Sequence, residues 1–257
     1  MRALRIGALA LAALWLAAAW PGHAESPTIQ VGVNSKMRAF LFAPDGPGPY
    51  PAVLVLHTSG GLQDADIDYA QRLTRQGYVT LVPAFLEAYG ISARSRFSTF
   101  TSDAEPIYAD FVAALDLLAR HDKVKGSKLG AVGFSNGGYF AAWLAATGKV
   151  QAAIGYYGAY SGAGTDRSLG RFRQVFGKAS SPVLLLHGAA DGTVPVQVAQ
   201  NLAQIIASAQ APVQLQIYQA VDHRFDREPA PAAEAAAADA WQRSLAFLQQ
   251  HLKPPEP

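Results

Sequence analysis

The order of elements along this chain predicts an α/β fold, with a mostly parallel central sheet and helices on both faces. Three observations carry that prediction. Short, almost wholly apolar runs recur, as strands covered on both faces require. Longer segments with apolar residues at helical spacing separate them. The 257 residues are 50% hydrophobic, enough for one sizeable core, and neither a repeat nor a linker interrupts them.

The first two dozen residues stand apart. Arg2 and Arg5 precede a charge-free apolar stretch from Ala8 to Trp20, and PGHA follows, ending at Ala24. A basic start, a short apolar middle and a small residue before the cut predict a secretory signal over 1–24, leaving 25–257 as a single domain. The apolar part falls short of the roughly 20 residues of a comfortable membrane span, and an uncleaved anchor is the alternative. The predicted location is periplasmic or secreted, with no stable membrane span after cleavage. Cleavage removes two of the 21 basic residues and no acid, so basic and acidic residues then balance. The basic character of the whole chain is therefore no sign of a nucleic-acid partner.

The mature part begins with a weakly alternating stretch at 28–42, which ends in VGVNSKMRAFLF (31–42), expected as antiparallel edge strands about an Asn-Ser turn. PAVLVLH (51–57) is the first buried strand, 64–76 a helix stopped by Gly77, and YVTLVP (78–83) the next strand. A long loop at 84–102 is expected before the amphipathic helix 103–121. KLGAVGF (128–134), QAAIGYY (151–157), PVLLLHG (182–188) and VQLQIYQ (213–219) supply four more strands. Helices are expected at 137–147, 196–209 and 231–252, and a Gly-, Ser- and Arg-rich excursion at 158–181.

Composition excludes several chemistries. The chain has no cysteine, which removes thiol nucleophiles, thiolate metal sites and iron–sulfur clusters. Its six histidines are scattered and HExxH is absent, so no metal is expected. No G-x-G-x-x-G follows the first buried strand, and no cofactor is expected.

Gly133-Phe134-Ser135-Asn136-Gly137 fits G-x-S-x-G, and its setting gives the pattern weight: it follows a buried strand and opens a helix. Such a turn is tight enough to require glycine on both sides, and it lifts the serine Oγ above the sheet at a helix N-terminus. The competing reading is a helix-capping serine between packing glycines. A serine hydroxyl needs a base to act as a nucleophile. On a turn of this kind the partners follow in the order serine, acid, histidine. His23, His57 and His121 precede Ser135; His187 closes a buried strand ahead of any suitable acid; His251 lies in the last helix. His223, in the loop after the final strand, remains. For the acid, Asp191 sits just beyond the PVLLLHG strand in a turn marked by Gly192 and Pro195. Asp166 has no strand to position it, and Asp222 adjoins His223 too closely. The oxyanion would be met by the amide of Asn136 and by that of Thr58 or Ser59 in the HTSGG loop. His57 is expected to be a buried, hydrogen-bonded residue with no chemical role.

Carried by VLVLHTSGG, GFSNGG, LLLHGAADGTVP and Y-x-x-x-x-HRF, the chain from about 30 to 250 resembles the α/β-hydrolase superfamily and, within it, the dienelactone hydrolase family. That resemblance implies a hydrolase of small esters or lactones. It departs at two linked positions: the family's namesakes have cysteine where this chain has Ser135, and a glutamate where it has Thr58. Without a thiolate to hold in reserve, that carboxylate has no task, and serine suits an oxidising compartment. The family also sets arginines around a substrate carboxylate. Arg227 matches one by spacing, and Arg94 or Arg96 the other loosely; Tyr157 is a further candidate for the pocket wall. The expected activity is a serine hydrolase working through an acyl-enzyme on a small ester or lactone. A peptidase or acyltransferase of the same fold, or a hydrolase-fold binding protein without turnover, are the alternatives. Composition leaves the oligomeric state open.

Overall fold

The computed structural model of the protein describes residues 28–161 and 167–252. The expected secretion signal at 1–24, Asp166 and the KPPEP tail lie outside them.

Eight strands form one sheet in the order β1-β2-β4-β3-β5-β6-β7-β8. They are β1 (Thr28–Val31), β2 (Met37–Phe42), β3 (Tyr50–Leu56), β4 (Val79–Pro83), β5 (Val124–Phe134), β6 (Ala152–Tyr156), β7 (Val183–Gly188) and β8 (Val213–Tyr218). β1 and β2 pair antiparallel, as the 28–42 alternation predicts, and β2 joins β4 antiparallel. Every pairing from β4 through β3, β5, β6 and β7 to β8 is parallel.

Alternate residues of the strands feed two cores. Leu54 and Leu56 of β3 and Ala131 of β5 belong to one; Val53, Val55, Val132 and Phe134 belong to the other. Against the first pack α3 (Ala104–Ala119), α4 (Asn136–Ala146) and α6 (Val196–Ser208). Against the second pack α1 (Asp64–Arg75) and the last helix, Pro231–Leu252. Every residue of α4 is buried, which explains why its sequence is almost wholly apolar rather than amphipathic.

Three expectations need correction. The 84–102 loop contains a short helix, α2 (Phe85–Ala88), and a 3-10 turn at Arg96–Phe100. The 158–181 excursion contains α5 (Arg167–Val175), and the last helix is therefore α7. Leu169, Phe172 and Phe176 bury one stripe against the core, a helical spacing diluted in the sequence by Gly170 and the arginines. β5 also begins at Val124 rather than 128.

Strand order reverses between β3 and β5, since α1 leads from β3 to β4 on one side and α3 crosses back to β5 on the other. Open α/β sheets place their sites in the crevice beyond such a switch. The strand ends there are level: Leu56 pairs with Gly133, Phe134 with Tyr156, Leu186 with Tyr156, and Gly188 with Tyr218. Loops leaving β3, β5, β7 and β8 therefore start from a common rim.

Candidate active site

Ser135 stands at the head of α4 with φ +49°, a left-handed conformation that costs a non-glycine residue about 1–3 kcal/mol. Surrounding backbone holds it there. Its amide donates to the Tyr156 carbonyl at 2.9 Å, and its own carbonyl accepts from Gly138 and Ala159, both at 3.0 Å. The flanking glycines are steric requirements: a β-carbon on Gly133 would strike the Gly137 carbonyl, and one on Gly137 the Leu56 carbonyl.

His223 reaches this serine from the loop after β8. Its Nε2 is 3.1 Å from Ser135 Oγ, and its Nδ1 is 2.7 Å from Asp191 Oδ2. A carboxylate only accepts, so Nδ1 carries the proton and Nε2 is left to accept from the serine hydroxyl. The structure thus brings together three residues spread over 88 positions of sequence.

Asp191 has a fully buried side chain. Oδ1 accepts from the amides of Thr193 at 2.9 Å and Val194 at 2.7 Å. His187 Nε2 lies 3.1 Å from Oδ2. Burial alone would raise this carboxyl's pKa. The contacts from His187 and His223 and the Val194 amide outweigh it and hold the group well below the usual carboxylate range. Asp222, set aside as the acid, has a different place. Its Oδ1 accepts from the amides of Gly192 at 2.8 Å and His223 at 2.6 Å, joining the loop that bears Asp191 to the loop that bears His223.

A cavity of about 490 Å³ opens above these residues, a volume ordinary for a small-molecule site. Ser135, Asn136, Thr58 and Ser59 all line it. The Asn136 amide is the first of α4, a donor with no partner inside its own helix. The Asn136 side chain donates from Nδ2 to Thr99 Oγ1 at 2.8 Å, and Thr99 donates to the Arg96 carbonyl at 2.7 Å. This chain of bonds ties the 3-10 turn, whose Arg96, Phe97 and Phe100 wall the cavity, to the residue after the serine. Thr58 Oγ1 is engaged in its own turn, accepting from the Gly60 amide at 3.1 Å.

His57 is buried against Phe85, ring centroids 4.0 Å apart, with Nδ1 donating to the Thr58 carbonyl at 2.7 Å. Burial lowers its pKa to about 4.

Three expected substrate contacts need correction. Arg227 does not line the cavity. Its side chain is 7% exposed and is bound to Asp66 at 2.6 Å, Gln63 at 3.0 Å and Asp226 at 3.4 Å, beneath the site. The turn Phe225–Arg227 carries it inward, and a buried guanidinium takes buried carboxylates as partners. Tyr157 lies under the His223 ring, centroids 4.7 Å apart, and donates to Asp226 at 2.7 Å; it supports the imidazole instead of facing the cavity. Arg94 is exposed and stands outside the cavity lining. Arg96 does line it. So does Arg224, which sequence reasoning missed. Its φ of +60° lies in the left-handed region, and its guanidinium donates to Gln63 Oε1 at 3.2 Å, the oxygen that Arg227 also meets. Its position directly after His223 was the available signal.

An α/β-hydrolase is the class that this sheet, its serine turn and its strand-end site define. The dienelactone hydrolase family model matches residues 37–252, and the chain belongs to that family. It is 28% identical over 86% of its length to a Synechocystis sp. protein assigned the name carboxymethylenebutenolidase, covering 94% of that protein. It is 26% identical over 87% of its length to a Bradyrhizobium sp. protein named for 2-oxo-3-(5-oxofuran-2-ylidene)propanoate lactonase activity, again covering 94% of it. A crystal structure from Klebsiella pneumoniae, described as a dienelactone hydrolase, superposes with a TM-score of 0.73 at 25% identity, covering 87% of this chain and 98% of that one.

The Arg227 cluster yields a prediction. Arg227→Ala leaves Asp66 and Asp226 buried without their cation, and urea denaturation is expected to show a loss of about 3 kcal/mol or more. Unchanged stability with a raised KM would instead return Arg227 to the substrate.

Proposed function

We propose that the protein is a serine esterase or lactonase in which Ser135 is the nucleophile, His223 the general base and acid, and Asp191 the group that orients the imidazole. The observation that carries this reading is the placement of one histidine between serine and carboxylate, at 3.1 and 2.7 Å. Ser135 Oγ attacks the ester carbonyl while its proton passes to His223 Nε2. The oxyanion is met by the Asn136 amide and that of Thr58 or Ser59. Collapse expels the alkoxide, which takes the proton from His223; in a lactone the alcohol stays attached to the acyl group. Water, deprotonated by the same nitrogen, then attacks the acyl-enzyme and releases the acid and Ser135. Ser135→Ala is expected to abolish p-nitrophenyl acetate hydrolysis with the circular dichroism spectrum unchanged; wild-type turnover in that variant would rule out the assignment.

The relatives' names describe lactones that carry a carboxylate. In this chain the guanidinium groups on the cavity are Arg96 and Arg224, and they are the proposed carboxylate contacts. Converting either to Gln is expected to raise KM for a carboxylate-bearing lactone about tenfold and leave KM for p-nitrophenyl acetate within about twofold. Equal effects on both substrates would remove them from that role.

Export is proposed from the basic, apolar and small-residue order of 1–24. Mass spectrometry of the protein from its native host is expected to find a mature N-terminus at Glu25. Recovery of intact Met1 in the cytoplasmic fraction would contradict export.

A further inference from the structure

His187 lies at the end of β7, wholly buried, and takes no direct part in the mechanism above. Its Nε2 is 2.9 Å from the Val194 carbonyl and 3.1 Å from Asp191 Oδ2. Both neighbours are acceptors, so this nitrogen carries a proton. Nδ1 is buried and has no hydrogen-bond partner among the described residues. The Nε2 proton is donated to the Val194 carbonyl, and the same nitrogen stands at ion-pair distance from Asp191 Oδ2. The loop from Asp191 to Val194 is closed on the far side by the Val194 amide, which donates to Asp191 Oδ1 at 2.7 Å. Val194 is thus held through its carbonyl by His187 and through its amide by Asp191, and the carboxylate is gripped between imidazoles, His223 at 2.7 Å and His187 at 3.1 Å. A histidine needed only to fill space would be matched by an apolar ring, since leaving Nδ1 unpaired is a cost with no packing return.

Resting on the catalytic reading of Ser135, His223 and Asp191, we infer that His187 is a positioning residue that fixes the aim of the Asp191 carboxylate on His223 and draws off part of its charge. The remaining groups that face this set are Ser135, Asp222, which accepts from the His223 amide, Tyr157 beneath the imidazole with Asp226 behind it, and Arg224 on the cavity wall. None of them touches Asp191 Oδ2. Removing the His187 proton donor concentrates negative charge on that oxygen, which favours the imidazolium form of His223. The acid limb of activity then moves to higher pH, and loosened aim lowers kcat without altering the substrate cavity.

The test compares His187→Phe, which keeps a ring and loses the donor, with His187→Gln, whose amide N–H reaches about as far as the imidazole Nε2. With p-nitrophenyl acetate, His187→Phe is expected to lose about tenfold or more in kcat, hold KM within about twofold and shift the acid limb of the kcat/KM–pH profile upward. His187→Gln is expected to recover most of both. A Phe variant with wild-type kcat and pH profile overturns the inference, and so do Phe and Gln variants equally impaired. A third arm needs no variant: long-range proton–nitrogen correlation spectra of the wild type are expected to place the His187 proton on Nε2, and a proton on Nδ1 alone overturns the inference. Ser135→Ala in the same assay separates the two layers. If that variant is inactive and His187→Phe is not affected, only the role of His187 falls; if Ser135→Ala turns over normally, the catalytic reading falls first.

Discussion

The site depends on one imidazole suspended between a hydroxyl and a carboxylate. His223 cannot serve Ser135 unless its far nitrogen is held, because a free imidazole would populate both tautomers and several ring orientations. Asp191 supplies that hold at 2.7 Å. The carboxylate can remain buried and ionised because amides and a second histidine meet its oxygens. An unpaired carboxylate at that depth would take up a proton and lose its grip on Nδ1.

The sheet creates this meeting point. Ser135, Asp191 and His223 follow the ends of β5, β7 and β8, and the parallel registers keep those ends level. β6 lies between β5 and β7 and contributes through backbone and support: its Tyr156 carbonyl takes the Ser135 amide, and Tyr157, just beyond it, sits under the His223 ring. Close approach completes the design. Gly188 permits the His223 loop to pass over the end of β7, where a β-carbon would strike the Val221 carbonyl. The Asp222 carboxylate then joins the two loops from the solvent side. Strain at Ser135 is tolerated because its amide and carbonyl are both bonded to fixed backbone.

What was legible in the sequence follows from what one-dimensional spacing can encode. Ser135, Asp191 and His223 could be found because strand ends are visible as the end of an apolar run, and parallel strands end on one rim. The alternation at 28–42 and the buried helix after Ser135 were readable for the same reason. Side-chain direction within a loop was not. Arg224 and Arg227 are three positions apart, and only the left-handed backbone at Arg224 and the turn after it send the first to the cavity and the second into the Asp66 and Asp226 pair. Tyr157 met the same difficulty, since a residue near an imidazole in the fold can lie above or beneath it. The helix α5 was obscured by composition: among its described residues the buried stripe is Leu169 and Phe172, continued by Phe176 just past its end and set among glycine and arginine.

The most direct measurement of the central claim is where a fluorophosphonate attaches. Such a probe phosphonylates a serine only where a base activates the hydroxyl and donors await the developing oxyanion. After labelling and trypsin digestion, the account predicts one modified peptide, residues 129–149, with the added mass on Ser135 and no adduct in protein denatured beforehand. An unmodified 129–149 peptide from folded protein, or an adduct confined to another serine, would contradict it.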